Sequence, residues 1–192
     1  ELQDGFINRD RYSLATSWST AKSFVGILIG IAIDQGYIQS VDESASTYIT
    51  EWSYDNKNQI TIRNLLDMRS GLPGLCATGS QPNYELEVCP YSIHWSGGNL
   101  TPVQNQLDAC INREIAETGI IQSWYSSERT WEKDYLLYSN CDAQVLGELL
   151  FRATGKDLQS YADINLFSKI GFEGHWWRDN ENNGQSNVNY LG

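Results

Sequence analysis

The apolar run from Phe24 to Ile33 constrains the fold of this chain more than any other stretch. It is apolar on nearly every side of a helix, so we expect it to lie at the centre of a hydrophobic core. Between Lys22 and Asp34 it is too short to span a bilayer. The sequence therefore predicts a globular protein built around one buried helix, which ends at Gly36, a natural C-cap.

A serine and a lysine stand at the entrance of this helix. Ser19 and Lys22 are three residues apart, a spacing that places a hydroxyl and an amine on one face of a helix. Serine is a weak nucleophile until a base takes its proton, so the pair suits nucleophilic catalysis. A lone Ser-x-x-Lys is more often an N-capping serine beside a solvated lysine. Partners further along the chain must decide between these interpretations.

The composition limits the partners of this protein. The 192 residues are 41% hydrophobic and include seven Trp and eleven Tyr, which indicates a packed core rather than disorder. The formal net charge of −11 argues against nucleic acid as a partner and disfavours an anionic membrane surface. The length fits one domain or a large part of a two-lobed one.

The cysteines indicate disulfides rather than a metal site. None of the four cysteines forms a C-x-x-C motif and there are only two histidines, so we expect no zinc site and no cofactor. Three pairings are possible, of which the simplest joins Cys76 to Cys89 and Cys110 to Cys141. Two disulfides are favoured over buried thiols, and they predict a periplasmic or secreted protein.

The remaining elements are predicted to be mostly helical, because strand-like alternation is scarce. Apolar spacing and caps predict further helices at 61–68, capped by Thr61, at 101–117, at 141–154, capped by Asn140, and at 158–166. Segments rich in turn-forming residues predict loops at 75–100, 119–132 and 180–192.

Tyr138 and Asn140 form a Tyr-x-Asn sequence immediately before the predicted helix 141–154. Ser-x-x-Lys followed by Tyr-x-Asn at this separation resembles the serine β-lactamase and penicillin-recognising superfamily. Within it, the chain looks like the class C-like branch, which includes carboxylesterases, D-aminopeptidases and 6-aminohexanoate-dimer hydrolases. Further segments resemble that branch, namely 17–24, 30–36, 62–72, 138–147 and 153–156. The resemblance covers roughly residues 11–180.

The resemblance implies an α+β, β-lactamase-like fold and a serine hydrolase that cleaves an amide or ester. Ser19 would attack the carbonyl and form an acyl-enzyme. Lys22 would share a proton with Tyr138, whose phenolate would act as the base for Ser19 and later protonate the leaving group. Asn140 would orient Lys22 or donate to the substrate carbonyl. The backbone N–H of Ser19 would be one oxyanion donor.

Other residues compete for roles in such a site. Trp176 and Trp177 are candidates for an aromatic wall that binds substrate, although packing is the commoner role of tryptophan. Tyr54 begins a second Tyr-x-Asn, but it falls in a polar turn with no apolar helix after it. Lys169 begins Lys-Ile-Gly, which mimics the family's third motif, Lys-Thr-Gly, yet its surroundings indicate the end of a helix rather than a strand.

The missing third motif predicts an incomplete site. The resemblance implies that residues 1–192 are a partial domain, the helical lobe and active-site floor, with the antiparallel sheet largely missing. We therefore expect this chain alone to be close to inactive, with a further segment or a second chain supplying the sheet. Two other functions stay open: a penicillin-binding-like sensor domain that is acylated without turnover, and a purely structural helical module.

Overall fold

A computed structural model describes residues 17–72, 106–115, 119–123, 126–131, 136, 139–178 and 188–189. Its helices are α1 (Ala21–Asp34), α2 (Ile62–Leu66), α3 (Gln106–Ile111), α4 (Asn140–Thr154), α5 (Leu158–Ala162) and α6 (Ser168–Ile170). Short 3-10 turns occur at Trp18–Thr20, Ala45–Thr47, Thr50–Trp52 and Asn56–Gln59, and a π turn, Asp163–Phe167, joins α5 to α6. Among these residues, no helix is both long and apolar enough to cross a membrane.

Helix α1 follows the predicted apolar run and ends as expected, where Gly36 adopts a φ of 78°. One face is buried in the core and carries Ala21, Val25, Leu28, Ile29 and Ala32. The helix therefore lies in the hydrophobic core, as expected. Its outer side is exposed among the described residues, where Ile27 is 48% exposed.

Helix α4 is the most buried of the described helices, with nine of its fifteen residues buried. It packs against α1, α2, α3 and α5 and shares the hydrophobic core with α1. Its N-cap is Ser139, whose Oγ accepts a hydrogen bond from the Cys141 N–H at 3.2 Å. The predicted cap, Asn140, is instead the first helical residue. Gly155 ends the helix, as expected, with a φ of 68°.

Two shorter helices flank α4. Helix α2 begins as predicted, because Thr61 and Asn64 form a reciprocal capping box. Helix α3 ends at Ile111, earlier than the predicted boundary near 117. The Ile111 carbonyl accepts hydrogen bonds from Trp52 Nε1 at 2.8 Å and from Lys57 Nζ at 3.0 Å. These tertiary contacts occupy the oxygen that a continuing helix would use.

Two small antiparallel sheets replace predicted loops. Strands β1 (Gly119–Ser123) and β2 (Ser126–Trp131) pair with Gly119 opposite Trp131, and the register shifts between Ile121 and Ser123. The loop predicted for 119–132 is thus wrong; β-branched and aromatic residues of this stretch favour a strand. Strands β3 (Trp177–Arg178) and β4 (Val188–Asn189) form the second pair, and β4 lies within the loop predicted for 180–192.

The predicted disulfide between Cys110 and Cys141 is confirmed, with the two Cα atoms 5.1 Å apart. It joins α3 to the first turn of α4 and so connects a short helix to the most buried one. The other predicted pair, Cys76 and Cys89, lies outside the described residues.

Removing this disulfide is expected to destabilise the protein strongly. The bond spans 31 residues, and closing a loop of that length restricts the unfolded chain by about 3–4 kcal/mol in the loop-entropy model. The double variant Cys110→Ser/Cys141→Ser should lose that much free energy of unfolding in urea. Thiol titration of the unfolded, unreduced wild type is the control, and two reactive thiols at these positions would contradict the assignment.

Candidate active site

Ser19 and Lys22 are in direct contact at the start of α1. Lys22 Nζ donates a hydrogen bond to Ser19 Oγ at 3.0 Å. The 3-10 turn Trp18–Thr20 carries the serine into the first turn of the helix, so the two side chains come from one rigid element. Ser19 is exposed and Lys22 is half-buried, which leaves the hydroxyl accessible to a ligand. The arrangement can stabilise negative charge on the serine oxygen.

Asn140 stands at the first position of α4, which packs directly against α1. Its Oδ1 is buried and accepts no hydrogen bond within the part of the chain that the structure describes. A buried acceptor without a donor costs free energy. This oxygen is therefore suited to accept from a group that binds there. Tyr138, the predicted base, lies outside the described residues.

Trp176 is packed inside a cluster of aromatic rings. Its ring stacks on that of Phe167, with centroids 5.5 Å apart and an interplanar angle of 17°. The two rings line a shallow open cleft beside Ser17, Ala21 and Phe24. Neither Ser19 nor Lys22 lines this cleft. Of Trp177 the structure describes only the backbone, in β3.

The second Tyr-x-Asn, at Tyr54, and the Lys-Ile-Gly at Lys169 both lie in elements with a structural role. Tyr54 is 99% exposed, in a turn before the 3-10 helix Asn56–Gln59. The middle residue of its motif, Asp55, caps that helix by accepting from the Lys57 N–H at 2.7 Å. Lys169 is exposed and lies in α6, as expected for a helix end rather than a strand.

The buried carboxyl of Asp142, two residues after Asn140, was not among the site residues predicted from the sequence. Asp142 is fully buried, and its Oδ1 accepts a hydrogen bond from Ser70 Oγ at 2.6 Å. Its Oδ2 is buried and has no hydrogen-bond partner among the described residues. Burial raises the pKa of the Asp142 carboxyl well above its usual value, outweighing the Ser70 hydrogen bond, which lowers it. The sequence did hold a signal: Asp142 precedes Val145 and Leu146 by three and four residues, on the stripe that faces the core.

Asp142→Asn is expected to gain stability relative to wild type as the pH rises. Above about pH 4 the unfolded chain has released this proton, whereas the folded protein keeps it. Wild-type stability then falls with pH, by about 1.4 kcal/mol per unit until the raised pKa is reached. The neutral amide has no such dependence. Urea unfolding of both proteins between pH 3 and 8 measures the difference.

Asp42→Asn is a control of opposite sign. The Arg63 side chain, which donates to both Asp42 oxygens, lowers the pKa of that exposed carboxyl. This variant should be the less stable one at neutral pH, and its deficit should shrink as the pH falls below about 4. A stability difference between Asp142→Asn and wild type that does not change with pH would contradict a neutral Asp142.

The sequence matches a protein family over nearly its whole length. The family model described as Beta-lactamase matches residues 10–187. The chain belongs to the β-lactamase family. This is a family of serine hydrolases, and the superfamily resemblance drawn from the sequence is confirmed. No protein of curated function matches this β-lactamase-family sequence.

Solved structures share the fold of this β-lactamase-family chain. A class C β-lactamase of Rhodobacter sphaeroides is 17% identical, with a TM-score of 0.51 over 81% of this chain and 34% of that one. A Bacillus anthracis protein assigned as a 6-aminohexanoate-dimer hydrolase is 17% identical, with a TM-score of 0.55 over 90% and 42%. A D-amino acid amidase of Ochrobactrum anthropi is 17% identical, with a TM-score of 0.51 over 81% and 35%.

These likenesses confirm the predicted β-lactamase-like fold, in a described part that is mostly helical. At such low identity they carry the fold alone. The chain spans about a third to two fifths of the length of the solved structures named above.

Proposed function

We propose that this protein is a serine hydrolase that cleaves a small-molecule amide or ester through an acyl-enzyme on Ser19. The observation that carries the proposal is the hydrogen bond from Lys22 Nζ to Ser19 Oγ, 3.0 Å long. A nearby ammonium favours the ionised form of a hydroxyl and so lowers the cost of removing its proton. The exposure of Ser19 on a rigid helix supports attack on a bound carbonyl.

The proposed reaction has two halves. The Tyr138 phenolate takes the proton of Ser19 Oγ as that oxygen bonds to the carbonyl carbon, and the Ser19 N–H stabilises the oxyanion. The tetrahedral intermediate then expels the amine or alcohol, which leaves with the proton held by Tyr138. In the second half Tyr138 takes a proton from a water as that water attacks the acyl carbonyl. The bond to Ser19 Oγ then breaks, the acid leaves, and Tyr138 returns the proton to Ser19 Oγ.

Asn140 and the two tryptophans are proposed to orient groups in the site or to support it, without transferring protons. The unpartnered Oδ1 of Asn140 supports acceptance of a hydrogen bond from Lys22 or from a substrate N–H. Trp177 is proposed as an aromatic wall for substrate. The stacking of Trp176 on Phe167 favours a packing role for Trp176.

A complete site is proposed to need more chain than residues 1–192, which we take as a partial β-lactamase-like domain. The supporting fact is that the chain spans less than half of the solved structures with its fold. A further segment or a second chain would supply the sheet, a second oxyanion donor and the third motif. One missing donor costs on the order of a hundred- to a thousandfold in rate, so we expect residues 1–192 alone to be nearly inactive. The disulfide supports a periplasmic or secreted location.

Covalent labelling tests the proposed function. The full-length protein is incubated with a fluorophosphonate and, separately, with a penicillin, and the modified peptide is identified by mass spectrometry. We expect the added mass on Ser19 and none on the urea-unfolded protein. A burst of one acyl group per chain without steady product would indicate the sensor-like alternative. Absence of any adduct on Ser19 would refute an acyl-enzyme at this residue.

A further inference from the structure

The first turn of α4 is held by the segment that follows α2. The Ser139 N–H, just ahead of the helix, donates to Met68 Sδ at 3.5 Å. Three residues further on, Asp142 Oδ1 accepts from Ser70 Oγ. Segment 68–72 therefore contacts this turn at two points, Ser139 and Asp142, and Asn140 lies between them in the sequence.

The contact between Ser70 and Asp142 is enclosed and short. Both residues are buried, and the distance from Oγ to Oδ1 is 2.6 Å. Ser70 Oγ also accepts from the Leu72 N–H at 3.0 Å, which fixes the direction of its own hydrogen bond. None of the ion pairs formed by the described residues includes Asp142. Ser70 thus ties this carboxyl to segment 68–72 through its hydroxyl, and its backbone also hydrogen-bonds to the carboxyl.

The backbone of this segment is itself constrained. Met68 has a φ of 55°, in the left-handed region that side chains other than glycine rarely adopt. This conformation is retained although it is strained, and the thioether of the same residue reaches the Ser139 N–H. The backbone and thioether of Met68 and the hydroxyl of Ser70 together hold segment 68–72 against the start of α4.

We propose that Ser70 and Asp142 are positioning residues, whose hydrogen bond sets the place of the first turn of α4 and so the place of Asn140. The inference rests on the proposed function, in which Asn140 contacts Lys22 or the substrate. Asp142 and Asn140 are two residues apart in one turn, so a shift of the Asp142 backbone moves Asn140 as well. Neither Ser70 nor Asp142 needs to touch the substrate for this effect.

The test compares acylation of Ser19 by a fluorophosphonate in four variants of the full-length protein. Ser70→Ala removes the donor and Asp142→Ala the acceptor; both should lower the acylation rate constant by roughly ten- to a hundredfold, the effect of misplacing a group by about 1 Å. The reagent concentration that gives half the maximal rate should change less than about twofold, because the residues that contact the reagent are unchanged. Asp142→Asn keeps an acceptor at Oδ1 and should stay within about threefold of wild type.

Ser160→Ala is the matched control. Ser160 Oγ also donates to an aspartate, Asp157 Oδ2, at 2.6 Å, but in α5. It should acylate at the wild-type rate. Equal rates in wild type and Ser70→Ala would overturn the inference, and so would a loss in Asp142→Asn as large as that in Asp142→Ala.

Hydrogen exchange separates this inference from the proposed function. The amides of 139–142 should exchange at least tenfold faster in Ser70→Ala than in wild type or Ser160→Ala, with the amides of α5 unchanged. If wild type is never labelled on Ser19, the proposed function fails, and exchange alone decides whether Ser70 positions this turn. Unchanged exchange at 139–142 overturns the positioning role whatever the labelling result.

Discussion

Ser19→Ala is expected to abolish covalent labelling of this β-lactamase-family protein by a fluorophosphonate. Only one oxygen is lost, from an exposed position ahead of α1, so the fold should remain. The Lys22 ammonium then has no hydroxyl to activate at the start of the helix. Intact-mass measurement before and after incubation gives the result directly, and thermal unfolding checks that the variant is folded.

Ser23→Ala supplies the matched control for that variant. Ser23 is an exposed serine in the first turn of α1, next to Lys22 in the sequence. Its removal should leave labelling at the wild-type rate. Undiminished labelling of Ser19→Ala, or loss of labelling in both variants, would show that the nucleophile is another residue.

Tyr138→Phe is expected to slow acylation by about two to four orders of magnitude, the usual contribution of a general base. Phenylalanine keeps the ring and removes the oxygen that would take the proton of Ser19. Binding of the ester or amide should change little, so the loss should fall on the rate of acylation and not on KM. Single-turnover measurements with a chromogenic ester in the full-length protein separate the two quantities.

Tyr54→Phe is the companion variant, because Tyr54 begins the other Tyr-x-Asn of the chain. Its ring is almost fully exposed, and its neighbour Asp55 serves as a helix cap. We expect wild-type kinetics. If Tyr54→Phe proves to be the damaging change, the base has been assigned to the wrong motif.

The fold was predictable where local signals agree with the tertiary structure. The apolar run of α1, the Thr61 cap of α2 and the glycine after α4 are each encoded within a few residues. The strands were not predictable, because β1 and β2 are short and their pairing joins segments with little alternation. The end of α3 depends on Trp52 and Lys57, more than fifty residues away in sequence, and no local pattern reports such contacts.

The sequence predicted the contact between Ser19 and Lys22, but it did not predict the hydrogen bond between Ser70 and Asp142. The spacing of Ser19 and Lys22 predicted their contact, because residues three apart meet on a helix. Asp142 was overlooked because a carboxyl in the first turn of a helix usually interacts with the dipole in solvent. Its spacing to Val145 and Leu146 does place it on the stripe that faces the core, but its partner, Ser70, is 72 residues away in sequence and no local pattern identifies that pairing.

The two donors on the Ile111 carbonyl have a consequence for how this protein can diversify. Helix α3 has six residues, too few to be stable alone, yet it is anchored by Trp52 and Lys57 on one side and by Cys141 on the other. Leu72 is buried and α3 is anchored, so the chain is fixed on both sides of segment 73–105. With both ends fixed, doubling the length of a flexible connection costs only about 0.6 kcal/mol in closure entropy. On that scaling, insertions and deletions between the two fixed ends are expected to cost little, while α1 and α4 keep their places.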